Sequence, residues 1–211
     1  MNNKWIFVIL LLILAGCGGG ISAYKIGDYN SLIKSGWARY NQNKFEEAQQ
    51  LFLEAKAMDD ERAEAYIGCG WSLLMRQHPD SALVEFFHGF DYITTLNDTV
   101  DTVCGISGSY LANGDNNRVI NFLNAYDLGY FEDSFPLRYH DFFLDRGDIE
   151  LVLAQAYYRL EIYSAAEASD PGNALYHLNQ VLITPYVYTT PEALMEKMTE
   201  YLSQSKGGLY R

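Results

Sequence analysis

From Ile33 to Phe90 the apolar and small residues fall at three- and four-residue steps, and polar runs interrupt them at regular places. Ile33, Gly36, Trp37 and Tyr40 share one helical face, which Asn41-Gln42-Asn43 brings to an end. Lys44-Phe45-Glu46-Glu47-Ala48 then opens a second helix that continues through Leu51, Phe52 and Ala55. Glu46 and Glu47 lie in its first turn, where the helix dipole favours acids. The same layout returns from Ala65-Tyr66 to Arg76 and from Pro79 to about Phe90. Pro79 suits a first helical position, because the N–H it lacks has no helical acceptor there.

The two stretches match position by position. Gly36 and Gly70, Trp37 and Trp71, Ala48 and Ala82, Phe52 and Phe86, and Ala55 and Gly89 are each 34 residues apart. One fixed period of this size marks a repeat architecture. Small residues at the helix contacts with aromatics between them, at this period, resemble the tetratricopeptide repeat. That resemblance implies an all-α solenoid of helical hairpins, about four helix pairs plus a C-terminal capping helix, whose concave groove holds another protein.

The expected organisation follows the pattern along the chain. Repeats one to three cover 29–127. The third is looser: Ile106, Ser107, Tyr110 and the turn Asn113-Gly114-Asp115 match a register slipped by three residues, with Asn116 and Val119 where the aromatic and the alanine would stand. The helical period stops in 128–147, an irregular insertion rich in aromatics such as Tyr130, Phe131 and Phe135. A fourth helix pair is expected over 148–184, its first helix running long to about Ala168 and its second capped by Asp170-Pro171. Ala154 and Tyr157 keep the repeat's phase. A final helix over 190–205 carries Leu194, Met198 and Leu202 on one face, the place for a cap.

The first residues stand apart. Lys4 precedes nine apolar residues, Ile6 to Leu14, and Leu14-Ala15-Gly16-Cys17 closes the run. Nine residues of helix reach only about 14 Å, short of the roughly 30 Å of a bilayer core, so residues 1–16 read as a signal peptide. The last four resemble a bacterial lipobox, which implies acylation of Cys17 and cleavage before it. Residues 17–28 would then be a lipidated tether, with ordered structure beginning near Asp28. Three acyl chains exceed the roughly two signals that stable anchoring needs. Gly18 stands where an aspartate would retain such proteins at the inner membrane, so the expected location is the outer membrane, facing the periplasm.

Charge narrows the partners. The chain carries −12 in formal charge, and removal of the signal peptide, with Lys4 and no acid, makes it −13. Such a surface repels phosphate backbones and anionic headgroups, so nucleic acid is not an expected partner. Cys69 and Cys104 fall on the first helices of neighbouring repeats. An oxidising compartment would permit a disulfide between them, but two small buried residues fit their positions better.

Candidate chemistry is sparse. The sequence has no phosphate-binding glycine loop, His-Glu-x-x-His, Cys-x-x-Cys or nucleophile elbow, and the glycines around Ser107 suit close helix packing. His78, His88, His140 and His177 share no spacing and read as surface or half-buried residues, and the acids read mostly as solvated faces. No catalytic residue, metal or cofactor is expected. The resemblance instead places a partner-binding groove at Ile33, Trp37, Tyr40 and Asn41 of repeat one and at Ile67, Trp71, Leu74 and Met75 of repeat two. Tyr158, with Leu151, Gln155 and Arg159, would add repeat four. The expected function is a non-enzymatic scaffold in a periplasmic envelope assembly: pilotin-like, accessory to barrel assembly, or an adaptor for peptidoglycan enzymes. Its partners would be other envelope proteins, with a peptide or helix in the groove, and the membrane through the lipid. The alternative is a glycan-binding lipoprotein accessory to an outer-membrane transporter.

Overall fold

A computed structural model describes residues 20–125, 146–164, 168–182 and 184–204. Among them every regular element is an α-helix: α1 (Gly20–Tyr40), α2 (Phe45–Met58), α3 (Ala63–Met75), α4 (Pro79–Phe90), α5 (Leu96–Ala112), α6 (Asn116–Ala125), α7 (Arg146–Arg159), α8 (Ala174–Val181) and α9 (Pro191–Gln204). Consecutive helices pack as antiparallel pairs. The first helix of each pair also touches the first helix of the next, α1 on α3, α3 on α5 and α5 on α7, and α9 closes against α7. That is the packing of a helical-hairpin solenoid.

Each first helix ends in the same way. Asn43 (φ 60°), Gln77 (φ 63°), Gly114 (φ 75°) and Glu161 (φ 60°) adopt the left-handed conformation. Their N–H groups donate to the carbonyls of Tyr40, Leu74, Leu111 and Tyr158, three residues back, at 2.8–3.1 Å. The next N–H groups, of Lys44, His78, Asp115 and Ile162, donate five residues back at 2.9–3.0 Å. These paired bonds satisfy the last carbonyls of the helix and reverse the chain. Seven residues before each turn stands a small buried residue: Gly36, Gly70, Ser107 and Ala154. The turns therefore set one phase for all four pairs.

Glycine lets the pairs close on their aromatics. Phe52, fully buried on α2, lies between Gly36 and Gly68, where a methyl group would come within 2.6 Å and 2.5 Å of its ring. Phe86 on α4 is gripped by Gly70 and Gly105 in the same way. A ring held on both faces cannot step aside, so only glycine fits. Gly105 lies 37 residues beyond Gly68, and Val119 and Leu123 lie 37 beyond Ala82 and Phe86, all fully buried. The slipped register thus holds through the third pair: Val119 takes the alanine place, as expected, and Leu123 takes the place of Phe52 and Phe86.

Other expectations need correction. Residues 20–28 belong to α1 and are not a tether, since between Ser22 and Asp28 only Gly27 weakens a helix. The fourth pair begins at Arg146, two residues before Asp148. Its first helix does not run to Ala168: the left-handed turn at Glu161 ends it after Arg159. The cap of α8 is Asn173, whose Oδ1 accepts the Leu175 N–H at 2.8 Å, while Asp170 takes the Gly172 N–H in a turn one step earlier. Leu194 and Met198 face the core as expected. The signal peptide, Cys17, the side chain of Leu202 and all of the insertion before Arg146 lie outside the described residues.

Candidate functional site

The first-helix face expected to line the groove is largely filled. Ile33, Trp37, Tyr40, Ile67, Trp71 and Leu151 are all buried. Trp37 packs edge-on against Phe52 and Tyr40, with ring centroids 5.1 and 5.3 Å away, and Trp71 against Phe86 at 5.7 Å. The indole N–H of Trp71 donates to Asp101, itself buried on α5. The same carboxylate stands near Tyr40, whose phenol is pushed well above its ordinary value by burial first and by Asp101 second. A neighbouring first helix therefore covers the tryptophan, a contact that a repeat-by-repeat reading does not contain. Leu74 and Met75 are half-buried against the core.

The fourth pair places its residues separately. Tyr158 stacks on Tyr163 at 5.2 Å, and Tyr163 on Tyr188 at 6.1 Å, in a half-buried column. Arg159 reaches across to the end of α5, where Nη1 donates to the Leu111 carbonyl at 2.7 Å and satisfies a last-turn acceptor of that helix. Gln155 is half-buried, and its Nε2 has no partner among the described residues.

A cleft of about 750 Å³ lies open beside α1. Ile33 and Trp37 form its floor, with Ala38 beside them, and Asn30, Lys34, Asn41, Arg62 and Glu64 form a polar rim. Three of the four groove residues expected in repeat one thus meet here, and Tyr40 lies behind them against Phe45. Asn30, Lys34 and Ala38 were not foreseen, although their four-residue spacing runs along α1 beside the Ile33–Trp37–Asn41 line. Arg62 is held in place. Its guanidinium lies 4.0 Å over the Tyr29 ring and donates to Glu64 at 2.9 Å, with a longer contact to Asn30 at 3.4 Å. Lys34 is exposed on the rim.

The remaining candidate chemistry is structural where it is described. Cys69 and Cys104 are free and buried, and burial pushes the Cys69 thiol up to about 12. Ser107 and Ser109 each donate to the carbonyl four residues back at 2.7 Å, inside a helix packed against Phe86 through Gly105. His78 and His88 are exposed, but His177 is buried and paired with Glu150, and Asp98, Asp101 and Glu150 are buried acids. His140 lies outside the described residues. Among these residues no cluster of three or more histidines, cysteines or acids could hold a metal ion, and no helix is long and apolar enough to cross a membrane. No family model, curated protein or solved structure matches the chain.

Proposed function

We infer that the chain is a non-enzymatic tetratricopeptide-type lipoprotein, held at the bacterial outer membrane by acyl chains on Cys17 and scaffolding a periplasmic assembly. The observation that carries this reading is the α1 cleft, with its apolar floor of Ile33 and Trp37 and its rim of Asn30, Lys34, Asn41, Arg62 and Glu64. A floor that excludes water, ringed by groups that fix orientation, suits an amphipathic segment of another envelope protein. The recurring hairpins, each closed by the same turn, are the frame such a groove needs.

Ala38→Arg tests it, because Ala38 is exposed on the cleft edge and the substitution fills the opening without entering the core. Proximity labelling and cross-linked capture from membranes should recover a reproducible envelope partner with the parent. An Ala38→Arg protein that melts as the parent does should lose that partner. Capture of the same partner by both proteins, or of none by the parent, would sink the reading.

The glycan-binding reading draws on the half-buried column of Tyr158, Tyr163 and Tyr188, next to which in the sequence stand Ile162 and Val187, 40% and 79% exposed. Calorimetry against a glycan panel separates the two, since a scaffold gives no heat.

A further inference from the structure

His177 on α8 is 5% exposed, and both of its ring nitrogens are engaged. Nδ1 lies 2.6 Å from Oε2 of Glu150 on α7, and Nε2 lies 2.7 Å from the carbonyl oxygen of Pro171, in the connection between the two helices. The ring stacks on Tyr157 of α7 at 5.3 Å and meets the edge of Tyr176 at 5.2 Å. Glu150 is 2% exposed, and its other oxygen accepts from Arg146 Nε at 3.2 Å. Among the described residues these are the ion pairs of Glu150 and His177, and no charged group of α5, α6 or α9 joins them. Asp170 in the connection is exposed and takes the Gly172 N–H.

The geometry fixes a proton count. A carbonyl oxygen only accepts, so Nε2 must carry a hydrogen to bond Pro171. Nδ1 and a carboxylate oxygen at 2.6 Å form a hydrogen bond only if another proton lies between them, on either atom. Remove that proton and a lone pair faces a buried carboxylate, whose remaining ion-pair partner, Arg146, has a side chain 55% exposed. The ring can shift its remaining hydrogen to Nδ1, but Nε2 then loses Pro171. Loss of one proton therefore removes one of the two bonds.

We propose that Glu150 and His177 form a proton-operated clasp that ties α7, α8 and the connection between them, closed while the pair holds its proton and opened when that proton leaves. The closed clasp holds one proton more than the open one, so low pH favours the closed form and rising pH the open one. The response is local to the fourth pair. Its connection is otherwise held by the Ala174 N–H on Ile162 at 3.0 Å and by Asn173 Nδ2 on Ser164 at 3.1 Å. The clasp is independent of the scaffold reading.

Glu150→Gln isolates the proton. Its amide can donate to Nδ1 while Nε2–H still donates to Pro171, so both bonds survive without a titrating group. Amide hydrogen exchange of the full chain, read as protection of Leu178–Val181 in α8 divided by that of Ile67–Trp71 in α3, cancels the intrinsic effect of pH on exchange. Between about pH 5 and about pH 8 the ratio should fall about tenfold in the parent and stay level in Glu150→Gln. A level ratio in the parent overturns the clasp, and so does an equal fall in the variant. If the variant does not fold, the parent's ratio decides alone.

Discussion

Trp71 joins two roles that the sequence leaves apart. Its ring fills the space between α3 and Phe86, and its N–H meets the buried carboxylate of Asp101 on the next first helix. Trp71→Phe keeps most of the ring and removes one of the donors to Asp101, so it should cost about 1–3 kcal/mol of stability. Trp71→Ala also leaves a cavity and should cost about 3–5 kcal/mol. Denaturant melts of the two variants check the order, and an unchanged stability in Trp71→Phe would mean that the N–H contributes nothing. The position of Trp71 in the repeat was legible from the 34-residue match, but the helix that covers it was not, because Asp101 comes from a unit with a shifted register. Cys69 gives a second expectation at this scale. Its thiol is pushed up to about 12 from an ordinary 9.0 by burial, with Glu85 raising it further and Lys56 opposing. The native protein should leave Cys69 and Cys104 unreacted toward a thiol reagent at neutral pH, and denaturation should expose two further equivalents, beyond anything that Cys17 contributes. Because the folded state retains a proton that the unfolded chain loses, the thiol's contribution is intact below 9.0 and stability falls as pH rises from there toward about 12.

The elements are set by their ends as much as by their apolar faces. Three- and four-residue spacing located α2, α4 and the first-helix faces, and Pro79 marked the start of α4. Asn43 and Gly114 announce their turns, because asparagine and glycine accept a positive φ at low cost. Gln77 and Glu161 take the same conformation and carry no such signal. That is why the end of α7 could not be read from the residues: without the turn at Glu161, the apolar pattern simply continues toward Ala168. The same fact makes a stability prediction. Gln77 and Glu161 are exposed, so glycine there relieves the steric cost of a left-handed side chain and removes no packing. Gln77→Gly and Glu161→Gly should each raise stability by about 1 kcal/mol, measured by denaturant midpoint. Gly114→Ala should lower it by a similar amount. A loss in both glycine variants would show that the turns are held by side-chain contacts and not by backbone conformation.

Across the whole molecule the repeats are joined by polar ties as well as by the glycine-gripped rings. Lys56 of α2 reaches Glu85 of α4 at 2.6 Å, Arg76 after α3 bonds Gln49 of α2, Asn113 after α5 bonds Asp80 of α4 at 2.8 Å, and Arg159 bonds the end of α5. These ties draw on both signs of charge, yet acids outnumber Lys and Arg by 27 to 15. A body of that sign is repelled by anionic lipid, so under the proposed anchoring its hold on a membrane comes from the acyl chains alone. Two measurements follow. Cys17→Ser should abolish acyl-chain labelling and leave an uncleaved or mislocalised precursor, and unchanged labelling and processing would reject the lipid anchor. A chain beginning at Gly18 should stay in the supernatant with anionic vesicles even at low ionic strength, where any basic attraction would be strongest. Sedimentation of that shortened chain, reversed by salt, would mean that a local basic face binds lipid despite the net charge. In that case α1, which carries Lys34 on the cleft rim and begins three residues after Cys17, would be the first element to test by charge reversal.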